Sequence, residues 1–421
     1  MRRLKKFSIG MVLGTMALML FCTGAWAAEV VIGFTGPLSG PGSGYGRDNT
    51  NGIKMAIDEV NDKGGIEIEG EKYTFKFKSY DDMIDPSAAV NNARRMRSRD
   101  DATVIFNPVF NTIAPLMEIN EQQGSEFLLM AYSSTPKIEE SDNDLTASIP
   151  PPFTAYLKVF SDIAWEKGWR KGAMVMTLGA YGDEWREEFE YYWEEEMGGE
   201  IVADKPANYY TDTDFSSQIS SALSKDPDFL LVGGPSEPTG LVIEQARNLG
   251  FEGGFILADQ AKMDYIANVV FDGDLSLMDN VIGIARVLDL PSPAVKDFNK
   301  KYEEKYGVHN TFEAMLNYSA LNAVFEAMKE AGTVDDPEAI KAAIHKVLPQ
   351  SPEDVPTPFY GMLDTRLLGS AAAGVIEDGE YAKAYEYMWW PESEAAFEKY
   401  KEMAAGGIEY RWLPVEGYKT D

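Results

Sequence analysis

Few residues in this chain have the types and spacing that chemistry on a substrate would need. The only histidines are His309 and His345, which are far apart and lie in or beside helical patterns. Two distant histidines are too few for a metal centre or a histidine-assisted nucleophile. We therefore expect both histidines at surface or helix-capping positions. Adjacent carboxylates such as Asp81 and Asp82 are frequent, but 68 acidic residues produce such pairs by chance. The sequence therefore predicts no catalytic group, no metal ion and no cofactor.

A glycine-rich segment, residues 35–46, is suited to contact with a small ligand. It follows a predicted strand and precedes a predicted helix, which is where phosphate-binding loops occur. It has neither the Lys-Ser/Thr pair of a P-loop nor the glycine spacing of a dinucleotide-binding motif. We expect it instead to bring backbone amides and the ring of Tyr45 near a ligand at the carboxyl edge of a sheet.

Strand and helix patterns alternate along the chain and would position this loop. Residues 30–35 are typical of a strand, and residues 51–63 carry apolar side chains at helical spacing. Asp85 followed by Pro86 indicates an N-cap that opens another helix. The alternation continues to residue 130 and predicts an α/β domain with a parallel sheet covered on both faces.

A second α/β series begins after the prolines at 150–152 and extends to residue 258. Within it, the helical pattern at 183–197 carries large apolar side chains four residues apart, which are expected to pack in a core. Three further helical patterns, from residue 293 to residue 347, have only weak strands beside them. We expect these helices to complete the first two domains and not to form a third.

The charge and composition exclude several classes of partner. The 421 residues carry 68 acidic and 38 basic side chains, a formal net charge of −30, and 45% of them are hydrophobic. A chain this apolar can bury large cores, and at roughly 100–200 residues per domain it should form two or three of them. Nucleic acids and anionic membranes are bound through basic patches, so the acidic excess predicts neither partner.

The first 27 residues have the layout of a secretory signal peptide. Residues 1–6 are basic, residues 7–22 are nearly all apolar, and Ala25 and Ala27 are the small residues that a cleavage site requires. A membrane anchor is the alternative, but the apolar run is shorter than the roughly 20 residues of a span. Cleavage after Ala27 would also remove the only cysteine. We therefore expect a periplasmic protein without disulfide bonds.

A set of motifs, in order and at characteristic separations, resembles one known family. The family is that of the periplasmic solute-binding proteins of the branched-chain amino-acid ABC importer type, and the resemblance runs from Ile32 to about Asp364. Its motifs are IGFTGPLSG at 32–40, YG at 45–46, GIKMA at 52–56, IDEVNDKGGI at 57–66, YDD at 80–82, DP at 85–86, YG at 181–182, DF at 214–215 and QARNLG at 245–250.

The resemblance implies two doubly wound α/β lobes, the type I periplasmic binding protein fold, joined by a hinge of three strands. The first lobe would comprise residues 28–149 and about 286–365, and the second lobe residues 150–285 and about 366–421. The lobes would close on a small molecule by hinge motion. A monomer of this kind would deliver its ligand unchanged to the permease subunits of an ABC importer.

The resemblance also assigns candidate ligand contacts. The loop serine that holds the α-carboxylate in amino-acid binders aligns here with Phe110, which leaves Asn111 and Thr112 as nearby donors. In the next loop, Ser134 stands where the family usually has a threonine, and Tyr181 aligns with a tyrosine that closes over the ligand. With the residues of the next paragraph, the candidate contacts are Tyr45, Phe110, Asn111, Thr112, Tyr132, Ser133, Ser134, Tyr181, Asp259 and Gln260.

The position that pairs with a ligand ammonium group departs from the family pattern. The acidic residue of the family aligns with Gln260, and Asp259 stands one place earlier. Burying an ammonium group without a charged partner costs several kcal/mol. Either Asp259 takes this role after a shift of one residue, or the ligand lacks an amine; Asp259 could equally be a helix N-cap. With Phe110 and Tyr132 nearby, amphipathic carboxylates, aromatic ones included, are favoured.

Three functional hypotheses follow from the sequence. The first is a receptor that binds an amino acid or a related small carboxylate for an ABC importer. The second is a sensor of the same fold that presents its ligand to a membrane signalling protein. The third is an exported enzyme, which no motif supports. Turnover of a compound would favour the enzyme, whereas reversible binding would favour either of the other two.

Overall fold

The structure is a computed structural model that describes residues 27–40 and 42–415. The predicted signal peptide lies outside the described residues, apart from Ala27. Within the described ranges, no helix has both the length and the apolar character needed to cross a membrane.

Eight strands form the first sheet, in the order β12-β13-β6-β5-β4-β1-β3-β2. Their bounds are β1 (Ala28–Gly36), β2 (Ile66–Ile68), β3 (Glu71–Asp81), β4 (Val104–Asn107), β5 (Leu128–Ala131), β6 (Thr146–Ser148), β12 (Met362–Leu363) and β13 (Arg366–Leu367).

Eight further strands form the second sheet, in the order β16-β15-β14-β11-β10-β9-β7-β8. Their bounds are β7 (Lys171–Met176), β8 (Glu200–Asp204), β9 (Phe229–Gly233), β10 (Gly254–Leu257), β11 (Val281–Ile284), β14 (Ala371–Glu377), β15 (Glu380–Met388) and β16 (Glu409–Trp412).

The two sheets have the same parallel centre. Five neighbouring strands are parallel in each sheet, β3-β1-β4-β5-β6 in the first and β8-β7-β9-β10-β11 in the second. In each, the next parallel strand of the chain (β3 or β8) lies on one side of the first strand (β1 or β7), and the later strands lie on its other side, so the strand order reverses at the first strand. In such doubly wound sheets, loops at the carboxyl ends of the strands form a crevice at the reversal point. The predicted α/β class with two doubly wound lobes is confirmed.

Twelve α-helices accompany the sheets within the described residues. Their bounds are α1 (Ser43–Asp62), α2 (Pro86–Asp100), α3 (Phe110–Met117), α4 (Phe153–Glu166), α5 (Ala180–Tyr191), α6 (Ser216–Leu223), α7 (Ser236–Asn248), α8 (Met263–Tyr265), α9 (Ala294–Tyr306), α10 (Phe312–Ala331), α11 (Pro337–Ile344) and α12 (Glu394–Met403).

Several local expectations are met by the helices. The Asp85 carboxylate accepts a hydrogen bond from the Ala88 amide at 2.7 Å, which confirms the predicted cap of α2. Three rings of the apolar stripe of α5 and the turn after it are fully buried, with Trp185, Phe189 and Trp193 each 0% exposed, and Met197 at the end of the stripe is half-buried. These rings therefore belong to the core, as their spacing indicates.

The chain crosses between the sheets at three places. It leaves the first sheet after β6, returns after β11, and leaves again between β13 and β14. After the second crossing, α9 and α10 lie against α1, where the Asn51 side-chain amide donates to the Tyr302 hydroxyl at 3.1 Å. For the lobe limits we propose residues 28–149 with about 286–365, and 150–285 with about 366–421. Because β13 (Arg366–Leu367) pairs with β6 of the first sheet, the third limit moves to just after residue 367.

Gly52 marks the closest approach of α1 and α10. A Cβ atom at this position would lie 2.0 Å from the carbonyl oxygen of Ala314. Although alanine ordinarily stabilises a helix by about 1 kcal/mol relative to glycine, we expect Gly52→Ala to lower the free energy of unfolding by about 2 kcal/mol, because the helices must separate. Urea denaturation measures this difference.

Gly406 provides a matched control for this prediction. A Cβ atom at Gly406 would meet no heavy atom within 4 Å. Gly406→Ala should therefore leave the free energy of unfolding within about 0.5 kcal/mol of the unmodified protein. A Gly52→Ala protein as stable as the Gly406→Ala protein would contradict the close contact between α1 and α10.

Candidate functional site

The loops at the carboxyl ends of both parallel sheets enclose a cleft of about 810 Å³, counting its open mouth. Its walls come from the loops after β1, β4 and β5 in the first lobe and after β7, β9 and β10 in the second. Eight of the ten candidate contacts line it: Tyr45, Phe110, Tyr132, Ser133, Ser134, Tyr181, Asp259 and Gln260.

The other two candidates do not line the cleft, because α3 begins at Phe110 and turns them away. Thr112 is fully buried, with its hydroxyl 2.8 Å from Oδ1 of Asn107. The exposed Asn111 side chain instead lies 3.4 Å from the Ile84 carbonyl oxygen. Donors to a ligand from this helix are therefore the backbone amides of Phe110 and Asn111, since those of Thr112 and Ile113 already donate to the Val109 carbonyl oxygen.

Asp259 lies on the cleft wall and is held by two side chains of the second lobe. Its Oδ1 accepts hydrogen bonds from the Tyr181 hydroxyl at 2.6 Å and from the Trp185 indole at 2.9 Å. The Gln260 amide in turn donates to the Tyr181 hydroxyl at 3.1 Å. The N-cap alternative for Asp259 is wrong, because the cap position of the following helix is Lys262. The residue lines the cleft but is only 7% exposed, so few water molecules can reach its carboxylate.

Aromatic rings form most of the remaining wall. The Tyr45 and Tyr132 rings meet edge to face with centroids 6.1 Å apart. Burial raises the pKa of Tyr45, Tyr132, Tyr156 and Tyr181 well above the usual tyrosine value. These four side chains therefore stay neutral near pH 7 and offer apolar faces with hydroxyl groups at their tips. Tyr156 is absent from the sequence-based candidates because it lies within a helix pattern and not in a loop motif.

An ion pair that joins the two lobes at the cleft is also absent from the sequence-based predictions. Lys262 follows β10, and Glu313 lies in the first turn of α10; Nζ and Oε1 are 3.1 Å apart. The two side chains are 7% and 4% exposed. A buried ion pair stabilises the contact between the lobes only if further hydrogen bonds satisfy its charged groups. Lys262 meets this condition in part, because its ammonium group also donates to the Asp259 carbonyl oxygen. No local motif could have paired residues so distant in the chain.

Arg366 fixes the loop that carries Ser133 and Ser134. Its guanidinium is fully buried and donates to the carbonyl oxygens of Ser133 (3.2 Å), Thr135 (2.8 Å) and Pro150 (2.6 Å). It also makes a two-pronged contact with the Glu139 carboxylate, at 2.6 and 3.0 Å. One side chain near the third crossing thus anchors a cleft loop and the start of the first crossing.

The comparison with protein families agrees with this arrangement of lobes and cleft. The family model described as periplasmic binding protein matches residues 29–365. The chain belongs to this family of periplasmic binding proteins. The exported-enzyme hypothesis is therefore wrong, since the family and the relatives below are solute-binding proteins.

Two curated relatives illustrate the sequence similarity of this binding protein. The Leu/Ile/Val-binding protein BraC3 of Rhizobium johnstonii is 25% identical over 332 residues, which cover 75% of this chain and 83% of the relative. The leucine-, isoleucine-, valine-, threonine-, and alanine-binding protein of Pseudomonas aeruginosa is 25% identical over 339 residues, or 78% and 86% of the two chains.

Solved structures share the fold of this binding protein. LivJ from Streptococcus pneumoniae, in complex with isoleucine, superposes with a TM-score of 0.71 at 21% identity and covers 85% of this chain and 99% of its own. A solute-binding protein of an ABC transporter from R. palustris, in complex with benzoate, gives a TM-score of 0.70 at 17% identity, with 84% and 95% covered.

The two lobes of this binding protein touch at further points beside the cleft. The Glu184 carboxylate of the second lobe accepts hydrogen bonds from the Thr135 hydroxyl at 2.5 Å and the Lys137 ammonium group at 2.9 Å. With the Lys262–Glu313 pair, these contacts bridge the two lobes. The two lobes are therefore in contact beside the cleft.

His309 makes an interlobe contact that depends on pH. It is half-buried, and not at the surface or capping position that was expected; its Nε2 lies 3.4 Å from Oδ2 of Asp264 in α8. This hydrogen bond raises the pKa of His309. The stability it contributes is complete below the unfolded pKa, about 6.5, and is lost as pH rises through the higher folded pKa. We expect His309→Asn to destabilise the protein more at about pH 5.5 than at about pH 8.5 in urea denaturation.

His345 provides the control for this pH effect. It lies at the end of α11 with much of its surface exposed, and its partial burial, together with the nearby Lys341 charge, lowers its pKa. His345→Asn should therefore not destabilise the protein more in acid than in base. If His309→Asn had the same effect at both pH values, protonation of His309 would play no part in the interlobe contact.

Proposed function

We propose that this protein is the extracytoplasmic receptor of an ABC importer and captures an amino acid whose side chain is largely apolar. We also propose that it acts in the periplasm as a monomer and hands its ligand to membrane permease subunits. Family membership supports the binding role, and the chemistry of the cleft supports the ligand class. A ligand-presenting sensor would share the binding step and differ only in its membrane partner.

The Asp259 carboxylate is the observation that carries the ligand class. It stands on the cleft wall with 7% exposure, and both of its hydrogen bonds, from Tyr181 and Trp185, end on the same oxygen, Oδ1. A buried carboxylate is best compensated by a cation with directed N–H groups. A ligand ammonium group meets that need, which favours the first of the two alternatives left open by the sequence.

The first lobe offers a complementary place for a ligand carboxylate. The amides at the start of α3 and the hydroxyl groups of Ser133 and Ser134 stand on the cleft wall opposite the second lobe. Helix amino termini favour negative charge because their amides are unpaired and their dipoles align. A zwitterion would therefore be held at one end by each lobe and would stabilise the closed arrangement.

The aromatic walls suit an apolar side chain between these two ends. Tyr45, Tyr132, Tyr156 and Tyr181 enclose the cleft with Phe110 and Phe312. Relatives whose names specify leucine, isoleucine and valine, and a neighbour in complex with isoleucine, support amino acids. Neighbours in complex with benzoate and 3,4-dihydroxybenzoic acid make the carboxylate without an amine the alternative to be tested.

Thermal-shift screening of the protein without residues 1–27 tests the proposed function. The panel should contain the twenty amino acids, aromatic acids, short amides and dicarboxylates. A ligand at 100 times its dissociation constant should stabilise the protein by about 2.7 kcal/mol. We expect hits among apolar and aromatic amino acids, recovered unchanged after incubation. Hits confined to compounds without a carboxylate, or chemical conversion of a hit, would overturn the proposal.

The importer and sensor roles can be separated once a ligand is known. Uptake of the radiolabelled ligand by proteoliposomes that contain the neighbouring permease and ATPase should require this protein. Absence of protein-dependent uptake, together with ligand-dependent binding to a membrane kinase or receptor, would favour the sensor.

A further inference from the structure

A second space of about 480 Å³, counting its open mouth, adjoins the cleft near the hinge and is called the chamber below. The side chains of Tyr156, Phe312 and Leu316 line both spaces, so they form the wall between them. The rest of the chamber comes from segments near the second and third crossings and from residues next to β16. None of the candidate ligand contacts from the sequence lies in it.

The chamber contains a buried carboxyl group that the amino-acid site does not use. Glu386 of β15 is 8% exposed and lines the chamber. Burial raises the pKa of Glu386 to about 7, although the Ser370 and Tyr410 hydroxyls nearby oppose this shift. The Ser370 hydroxyl is itself buried, and no partner lies at hydrogen-bond distance in the described residues. A polar group entering the chamber would therefore meet the Glu386 carboxyl group and the Ser370 hydroxyl.

The remaining walls are mostly apolar, and the hydroxyl groups of Ser292, Thr357 and Tyr410 among them already have hydrogen-bond partners within the protein. Pro291, Pro352, Pro356 and Pro358 stand among the lining residues, and proline has no backbone N–H to donate. Leu290 and the ring of Tyr360 add apolar surface. Such walls accept an apolar chain, while Glu386 is the one carboxylate among the described lining residues. The chamber thus combines apolar walls with a single acidic end.

We infer that this chamber is a distal subsite, which receives the far end of a ligand held in the cleft and in which Glu386 accepts a hydrogen bond from an amine at that end. This inference rests on the proposed function, since the head of the ligand lies in the amino-acid site. The substrate class becomes an amino acid with an apolar chain that ends in an amine. Rotation of the shared side chains Phe312 and Leu316 would join the two spaces.

Matched probes of increasing length test the distal subsite. Each pair has the same carbon skeleton and ends either in a methyl group or in an amine: norleucine with lysine, and 2-aminooctanoate with 2,8-diaminooctanoate. Titration calorimetry should show that the amine increases affinity at least about tenfold at the length that reaches Glu386, as expected for a buried charge pair. Glu386→Gln should remove this gain and leave the affinity for leucine within about twofold.

Two more variants keep the test clear of folding defects. Glu380→Gln changes an exposed carboxylate on the same strand and should preserve the gain. Ser370→Ala removes a chamber hydroxyl and should reduce the gain without changing leucine binding. If leucine binds but the terminal amine gives no gain at any length, or if Glu386→Gln keeps the gain, the distal subsite is refuted and the proposed function stands. If no probe binds, both fail.

Discussion

Replacing Asp259 with asparagine is expected to lower the affinity for leucine by about a hundredfold or more. Asparagine has nearly the same shape, and its carbonyl oxygen can still accept from Tyr181 and Trp185, so the cleft wall should keep its form. The substitution removes the negative charge that would compensate a ligand ammonium group in this poorly hydrated site. Truncation of one partner of such a pair costs about 2–5 kcal/mol, which titration calorimetry would detect as a weaker dissociation constant.

The ligand itself supplies the control for this variant. The compound 4-methylpentanoate is leucine without its amino group, and its affinity should be similar for the unmodified protein and for Asp259→Asn. Asp272→Asn, which removes an exposed carboxylate of the same lobe, should leave leucine binding unchanged. An equal loss of affinity for both ligands would indicate a damaged wall, and no loss for leucine would exclude Asp259 as the partner of an ammonium group.

Replacing Arg366 with methionine is expected to be strongly destabilising. The guanidinium is fully buried and contacts three carbonyl oxygens and the Glu139 carboxylate. Its removal would take a donor from the Thr135 and Pro150 carbonyl oxygens and a counter-ion from the Glu139 carboxylate, whereas the Ser133 carbonyl oxygen would still accept from the Ser148 hydroxyl at 3.3 Å. Breaking a buried pair in this way costs about 3–5 kcal/mol. Urea denaturation should show this loss, and ligand affinity should fall as well because the Ser133–Ser134 loop loses its anchor.

A double variant separates the charge effect from the loss of hydrogen bonds. Glu139→Gln combined with Arg366→Met removes both charges, and we expect it to recover part of the lost stability. Arg99→Met, at an exposed position near the end of α2, should be close to neutral. If Arg366→Met cost less than about 1 kcal/mol, the anchoring role of Arg366 would be wrong.

The fold could be predicted to the extent that local patterns determine it. Asp85 and Pro86 predict the start of α2, because both the cap and the proline act within one helical turn. In contrast, β14 is absent from the sequence-based strands, since its residues AAAGVIE include alanines and a glycine with low strand preference. The strand forms because it pairs with β11 and β15 and is buried between helices, which no local pattern records.

The site shows the same division between local and distant information. Tyr181 lies in the first turn of α5, after β7, and Asp259 follows β10, so the motifs shared with the family were enough to predict that both reach the cleft. Thr112 was misplaced because the exact start of α3 decides which side chains turn inward. The Lys262–Glu313 pair and the anchor at Arg366 join segments that are remote in the chain, and only the packing of the lobes brings them together.

The most direct measurement is titration calorimetry of the unmodified protein with leucine and phenylalanine, each beside its analogue without an amino group, 4-methylpentanoate and 3-phenylpropanoate. One site per chain is expected, with at least one amino acid bound about thirtyfold or more tightly than its analogue, because Asp259 then compensates an ammonium group. Analogues that bind as tightly as both amino acids, or a protein that binds none of the four, would contradict a cleft built for an apolar zwitterion.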